Sequence, residues 1–397
     1  MHSKRYSQMA TIDKKAIASL CFAHLINDWY MNYIQVLLPF LVASGLSLAK
    51  GSFLISAFTI ASSVTQPIFG YFADKWNQRW FVYVGTFWMA ALICLIGVVT
   101  RYPLLFVVAA LAGLGTAAFH PQASSMVTAA SGDRKGFIQA CFMAAGNIGW
   151  ALTPVVVVPF VEAFGLTWTS VFFLPGALAA LLVLFARPTR VETSGRNFSA
   201  EFPRSRDSWN ELGKIVIVVA MRSLTYFGLI AFLPLYLQTT DVPLVAGSRL
   251  VFVMLLAGAI GGLAGGYLSD RIGRKQVTAG SLILATPFFC LFLGAASPWT
   301  YVLLAIAGAF LLASFSVTVV VAQELMGRAS AMASGLMLGF AVGIGGLGVG
   351  VVGVVAERVG LAAIIQFLTW LPLVAGLMSL GLRTHSLTVR TDAEQIS

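Results

Sequence analysis

Charged side chains are what this 397-residue chain has least of: Asp, Glu, Lys and Arg make up 10% of it, 58% of its residues are hydrophobic, and its mean hydropathy is +0.87. Soluble domains carry charge on roughly a quarter of their residues. That shortage excludes a water-facing globular fold and points to an integral membrane protein. Cysteine is scarce too. Cys21, Cys94, Cys141 and Cys290 stand singly in apolar segments, with no CxxC pair and no histidine at ligand spacing, and read as packing residues. No nucleotide-binding loop, Ser–His–acid grouping or metal-ligand cluster is legible, and the GxGxxG-like runs near 343–348 lie inside an apolar stretch. An enzyme is therefore not expected, nor ATP as energy source, nor any cofactor.

What is abundant is long apolar segments. Twelve stretches can each cross a hydrocarbon core of roughly 30 Å as a helix: 16–43, 50–73, 80–100, 103–130, 136–163, 167–187, 212–239, 246–269, 275–296, 299–325, 328–356 and 361–383. Their length favours helices over strands, and open sheet edges cannot sit in lipid. The expected fold is an all-α membrane protein with twelve transmembrane helices in two pseudo-symmetric six-helix bundles, residues 1–187 and 212–397. A polar linker at 188–211, rich in Arg, Ser and Pro, joins them. The two halves are suggested by a repeat: GYFADKWNQR at 70–79 returns 196 residues later as GYLSDRIGRK at 266–275.

With an inside N-terminus, all of the 25 Lys and Arg fall on the cytoplasmic side except Lys50, Arg101, Arg249, Arg358 and the intraspan Arg222. Both termini are thus expected in the cytoplasm, in a bacterial inner membrane. The net charge of +10 then reflects topology, not nucleic-acid binding. The first segment is too long and too polar inside for a cleaved signal peptide and is expected to stay as the first helix.

The repeated loops suggest a gate. Gly70 and Gly266 sit one turn before Asp74 and Asp270, with Arg79, Arg271 and Arg274 following. Each glycine lets a neighbouring helix approach, and each aspartate attracts that helix's positive N-terminus. Contacts of that kind exist only while the cytoplasmic ends are together; the alternative is that the basic residues merely fix topology.

Deep polar residues mark candidate chemistry. Asp28 lies roughly 18 Å into the first span, where a lone carboxylate is costly and usually serves a proton or substrate pathway. His24 is one turn earlier on the same face, so the pair can share a proton. Arg222 is deep in the seventh span and needs a partner. The 196-residue offset sets it opposite Ile26, so it either pairs with Asp28 or holds an anionic substrate. Pro121 frees a backbone carbonyl beside His120, which can turn the imidazole into a cavity. Asn147, Gln323, Tyr33 and Tyr226 are further candidates for substrate contact, while Glu324 reads as an interfacial partner of Arg328. Gly258, Gly262 and Gly266, and Gly335, Gly339 and Gly343, read as close-packing faces.

Six spans, a linker and six more spans, with a GxxxD-plus-basic loop after the second span of each half, resemble the major facilitator superfamily over the whole chain. The second loop matches the family motif closely, whereas the first carries Lys75, Trp76 and Asn77 where the motif has Arg, a variable residue and Gly. The Asp270 latch is therefore expected to be the stronger. HLIND at 24–28, FHP at 119–121, QELMG at 323–327 and GFAVGIGGLG at 339–348 are similar to the fosmidomycin-resistance branch. The resemblance implies a monomeric, proton-driven antiporter in membrane lipid, exporting a drug-like or small anionic solute. Asp28 and His24 would couple the proton, and Arg222, His120, Asn147, Gln323, Tyr33 and Tyr226 would serve the substrate. A symporter importing a nutrient, or a receptor on the same fold, are the alternatives.

Overall fold

The structure is a computed structural model that describes residues 12–66, 68–70, 72, 79–131, 135–186, 206–326 and 336–382. Among these residues every regular element is helical. Helix α1 (Lys14–Met31) starts at Asp13, whose carboxylate accepts from the Ala16 amide at 3.0 Å and caps the first turn. It breaks at Asn32, and α2 (Tyr33–Ala43) resumes after that single residue. There follow α3 (Leu48–Val64), α4 (Trp80–Ile93), α5 (Tyr102–Ala130), α6 (Lys135–Phe164) and α7 (Phe173–Ala186). The remaining helices are α8 (Arg206–Gln238), α9 (Leu244–Ile272), α10 (Arg274–Leu293), α11 (Trp299–Ala313), α12 (Phe315–Met326), α13 (Val342–Val359) and α14 (Leu361–Leu380).

Eleven stretches of the described residues are long and apolar enough to cross a membrane. The predicted first span is missing from that set because it is interrupted at Asn32 and buries His24, Asn27, Asp28, Asn32 and Gln35 in its interior. With α1–α2 counted, the crossings reach the twelve expected of this multi-pass membrane protein. Residues 206–211 of the predicted linker are already helical, as the first turns of α8, where Glu211 and Lys214 pair at 2.7 Å. The rest of that linker, and Asp74, lie outside the described residues. Ile260, Leu263, Phe185 and Val351 are each more than 60% exposed, which marks the surfaces that hydrocarbon chains cover.

Between the predicted halves, α3 lies along α13, α6 along α9, and α2 against α8. Small residues line the α3–α13 approach as predicted: methyls at Gly339 and Gly343 would lie 2.9 Å and 3.1 Å from Ser63 of α3, while Gly335 lies outside the described residues. Within the second predicted half, α9 packs on the neighbouring α11 through Gly261 and Gly265, set against Ala309 and Ala313, and through Gly258 of the predicted face, where a methyl would lie 3.2 Å from the Gly308 carbonyl oxygen, whereas a methyl at Gly262 would meet nothing closer than 3.5 Å. On α13, Gly346 faces Thr59 of α3, and a methyl at Gly345 would lie 2.5 Å from Ser223 Cβ of α8. Between α9 and α10, Gly273 adopts φ 101° and ψ 146°, a conformation essentially reserved for glycine. It is the position occupied by Asn77 in the first copy of the repeat.

A buried histidine–aspartate–histidine cluster and an isolated guanidinium

The helical spacing that puts His24 and Asp28 on one face of α1 brings His24 Nε2 to 3.3 Å from Asp28 Oδ2. A third residue, 92 positions away in sequence, completes the group: His120 Nε2 on α5 lies 3.3 Å from Asp28 Oδ1. His24 and Asp28 are buried, and His120 is partly so. The three polar atoms lie within 4.8 Å of one another, close enough for one proton network or small cation to bridge.

Two features fix the cluster. His24 Nδ1 is 2.6 Å from the Phe142 carbonyl of α6, and the two rings stack with centroids 3.9 Å apart. A carbonyl only accepts, so Nδ1 must carry a hydrogen. The other nitrogen, Nε2, then faces the Asp28 carboxylate. One proton has to sit between them, on the imidazole or on the carboxyl, because otherwise two lone pairs would oppose each other. The second feature is Gly146. A methyl there would collide with Asp28 Oδ2 and lie 2.6 Å from His24 Cε1, so α6 can meet α1 at this level only through a glycine.

Around the cluster, Asn27 accepts from the Thr116 hydroxyl, Thr153 donates to the Trp29 carbonyl at 2.7 Å, and Asn32 donates to the Trp150 carbonyl at 3.3 Å. Both amide atoms of Gln35 and Trp150 Nε1 are buried without a hydrogen-bond partner, and the Tyr226 hydroxyl lies against the Asn32 side chain. Asn147 is half-buried beside Gly146.

Arg222 does not pair with Asp28. It is 2% exposed on α8, with Nη1 at 3.4 Å from Ser314 Oγ and 3.3 Å from Thr318 Oγ1, and its guanidinium lies 4.9 Å from the centre of the Phe315 ring. Among the described residues no carboxylate lies within ion-pair distance of it. A buried cation held only by hydroxyls and a ring still wants a counter-charge.

The other predicted residues are dispersed. Tyr33 is buried in an aromatic group with Trp29, Tyr30 and Phe172, and its hydroxyl donates to the Thr169 carbonyl at 3.4 Å. Tyr226 is buried against Trp150, ring centroids 5.7 Å apart. Gly70 faces Pro121 of α5 at an ordinary 3.6 Å, Gly266 faces Ser316 at 3.1 Å, and Arg271 covers the Tyr267 ring at 4.4 Å. Arg79 immediately precedes α4 and Arg274 opens α10. The side chains of Gln323 and Asp270 lie outside the described residues. Phe142, Gly146, Asn32, Gln35, Ser314 and Thr318 were not singled out by sequence. For Asn32 and Gln35 a signal was available, since both are polar residues inside an apolar span, as Asp28 is.

Comparison with known proteins places these features in a family. The Major Facilitator Superfamily model matches residues 20–350. The chain is 30% identical over 368 residues to the fosmidomycin resistance protein of Escherichia coli (strain K12), covering 90% of each. It is also 30% identical over 374 residues to the uncharacterized MFS-type transporter YfnC of Bacillus subtilis (strain 168), covering 90% of this chain and 89% of that one. Among solved structures, a variant of peptide transporter POT in complex with sulfate superposes with a TM-score of 0.75 at 16% identity, over 94% of this chain and 96% of that chain. A variant of nucleoside transporter NupG gives 0.73 at 18%, over 93% and 99%.

Proposed function

Since this chain belongs to the major facilitator superfamily, we propose that it is a proton-coupled antiporter that exports a small anionic organic solute by alternating access between two six-helix halves. The carrying observation is the buried His24–Asp28–His120 cluster. Its geometry requires a proton between His24 Nε2 and Asp28, so losing that proton sets like electron pairs against each other and favours a different arrangement of α1, α5 and α6. Proton release is thereby tied to helix position.

Arg222, with no carboxylate partner among the described residues, supports an anionic substrate, because an anion would supply a counter-charge to this buried guanidinium. The relative's name, fosmidomycin resistance protein, supports outward flux. The bias of Lys and Arg to one side supports cytoplasmic termini in a bacterial inner membrane. Asp74 and Asp270 are assigned to the cytoplasmic latch, and the protein works as a monomer. At about 2.3 kcal/mol per charge per 100 mV, one proton moved across roughly 150 mV supplies about 3.5 kcal/mol. At about 1.4 kcal/mol per decade, the proton alone sustains a gradient of a few hundredfold, and a membrane potential negative inside adds to it for an exported anion.

The test uses purified protein in vesicles. An imposed proton gradient should drive solute flux in wild type, and its sign in inside-out vesicles gives the direction. Asp28→Asn should abolish gradient-driven flux while solute exchange at equal pH persists. Full gradient-driven activity in Asp28→Asn would remove the assignment.

A further inference from the structure

We propose that His24, Asp28 and His120 form a site for one divalent transition-metal ion of the zinc class, and that the bound ion blocks transport. The block rests on the proton-coupling reading, whereas the site does not. All three ligands stand on α1 and α5, so the site is complete within the first predicted half.

The donor atoms and their spacing carry the assignment. Zinc bonds imidazole nitrogen and carboxylate oxygen at about 2.0–2.2 Å, so neighbouring ligand atoms around a tetrahedral ion stand about 3.3–3.4 Å apart. His24 Nε2 and His120 Nε2 each lie 3.3 Å from an oxygen of Asp28. The three ligand atoms lie within 4.8 Å of one another. The set closes on an ion by turning His120, whose side chain is 22% exposed against 3% for His24 and 8% for Asp28. Sequence spacing hides the site, because His120 is 92 positions from Asp28.

The surroundings prepare these groups for a metal. His24 donates Nδ1–H to the Phe142 carbonyl at 2.6 Å, which leaves the Nε2 lone pair toward Asp28. Metal-binding histidines are held in this way, the second nitrogen donating to an acceptor that fixes tautomer and ring orientation. The Phe142 ring, stacked with its centroid 3.9 Å away, holds the imidazole plane. Asp28 is 5% exposed, and its Oδ1 makes no well-formed hydrogen bond, so a buried carboxylate oxygen is left facing His120.

The donor set also selects among ions. Imidazole nitrogen suits zinc, nickel and copper. Calcium takes about six to eight oxygen ligands and magnesium a near-octahedral oxygen shell, neither of which one carboxylate supplies. Three protein ligands leave a further position open to water. An ion bound here occupies the place of the proton shared by His24 and Asp28 and fastens α1 to α5, so the helix movement tied to that proton stops.

The experiment uses the purified full-length protein, free of any tag, at one fixed pH with neither solute nor gradient. A second background replaces the four cysteines by alanine and His2 and His385 by asparagine, which leaves His24 and His120 as its only histidines. In both, Zn2+ should raise the thermal midpoint while Mg2+ and Ca2+ do not. In the second, Co2+ should give visible absorption that saturates at one ion per chain and is displaced by Zn2+. His120→Gln and Asp28→Asn should each weaken Zn2+ at least tenfold, and the thermal midpoint without metal shows whether each variant is folded. Absence of a zinc shift in wild type, which needs no variant to fold, would overturn the site. So would equal stabilisation by Mg2+, or undiminished zinc binding in folded His120→Gln. In vesicles, saturating Zn2+ should stop gradient-driven flux and a chelator should restore it; flux that continues at saturation would overturn the block. Because binding is read without a gradient, zinc binding to a protein that shows no gradient-driven flux would refute proton coupling and leave the site standing. Proton-driven flux without zinc binding would do the reverse.

Discussion

At the scale of single residues, the cluster depends on a side chain that is not there. Gly146 is the only residue type that lets α6 reach α1 where His24 and Asp28 meet, since a methyl would displace both side chains. Gly146→Ala should cost about 1–3 kcal/mol by overpacking, lowering the thermal midpoint and disturbing the contact of His24 with the Phe142 carbonyl. Gradient-driven flux should then fall by at least tenfold while exchange at equal pH falls less. An unchanged flux-versus-pH curve in a folded Gly146→Ala protein would show that the contact with α6 is not part of coupling. The pairing of His24 with Asp28 was legible in the sequence because both lie on one helix at fixed spacing. His120 was expected as a substrate residue, and its place on Asp28 follows from how α5 packs on α1, which local spacing does not encode.

At the scale of elements, the structure separates glycines that the sequence treats alike. Gly261 and Gly265 set α9 backbone-to-backbone on α11, and a methyl at Gly265 would lie 2.7 Å from the Ala313 carbonyl carbon. Gly262, one residue away, has room. Gly265→Ala should therefore destabilise the purified protein by about 1–3 kcal/mol, whereas Gly262→Ala should change stability by no more than about 1 kcal/mol, in either direction. Thermal unfolding of the two variants side by side checks this, and equal effects would contradict the packing register. Of the predicted face, Gly258 does turn to α11, whereas Gly262 and Gly266 lie one residue, about 100° around the helix, from the tightest contacts at Gly261 and Gly265. Small-residue periodicity tells that a helix packs closely, not which side it turns to its partner.

At the scale of the whole molecule, the α3–α13 seam ties the two predicted halves together at the end opposite the repeated loops. Ser56 donates to the Gly346 carbonyl at 3.0 Å and accepts from the Gly350 amide at 3.0 Å, and Glu357 accepts from the Ala49 amide at 2.8 Å, in the first turn of α3. These bonds cross between halves and must break for that end to open. At about 0.5–1.5 kcal/mol each, losing the two made by Ser56 should shift the equilibrium toward the state open at that end by roughly tenfold. Ser56→Ala should accordingly speed the reaction of a cysteine introduced at Gln35, in a cysteine-free background, with an impermeant thiol reagent added from the Glu357 side. Glu357→Gln, which keeps an acceptor oxygen, should speed it less than Glu357→Ala. No change in labelling for any of the three would mean that the seam does not hold this end shut.

Composition alone determined that the chain lives in a membrane, and the lengths of its apolar runs determined helices and nearly all of their boundaries, because hydrocarbon demands internally satisfied backbone over a fixed thickness. The loop repeat and four short motifs carried the family. What sequence could not decide was which polar residues share a site. Asp28 meets His120 rather than Arg222, and Arg222 meets the hydroxyls of Ser314, between α11 and α12, and of Thr318 on α12, with no carboxylate among the described residues in ion-pair range. Those choices are made by helix rotation and by glycine contacts between elements far apart in the chain, so only the tertiary structure contains them.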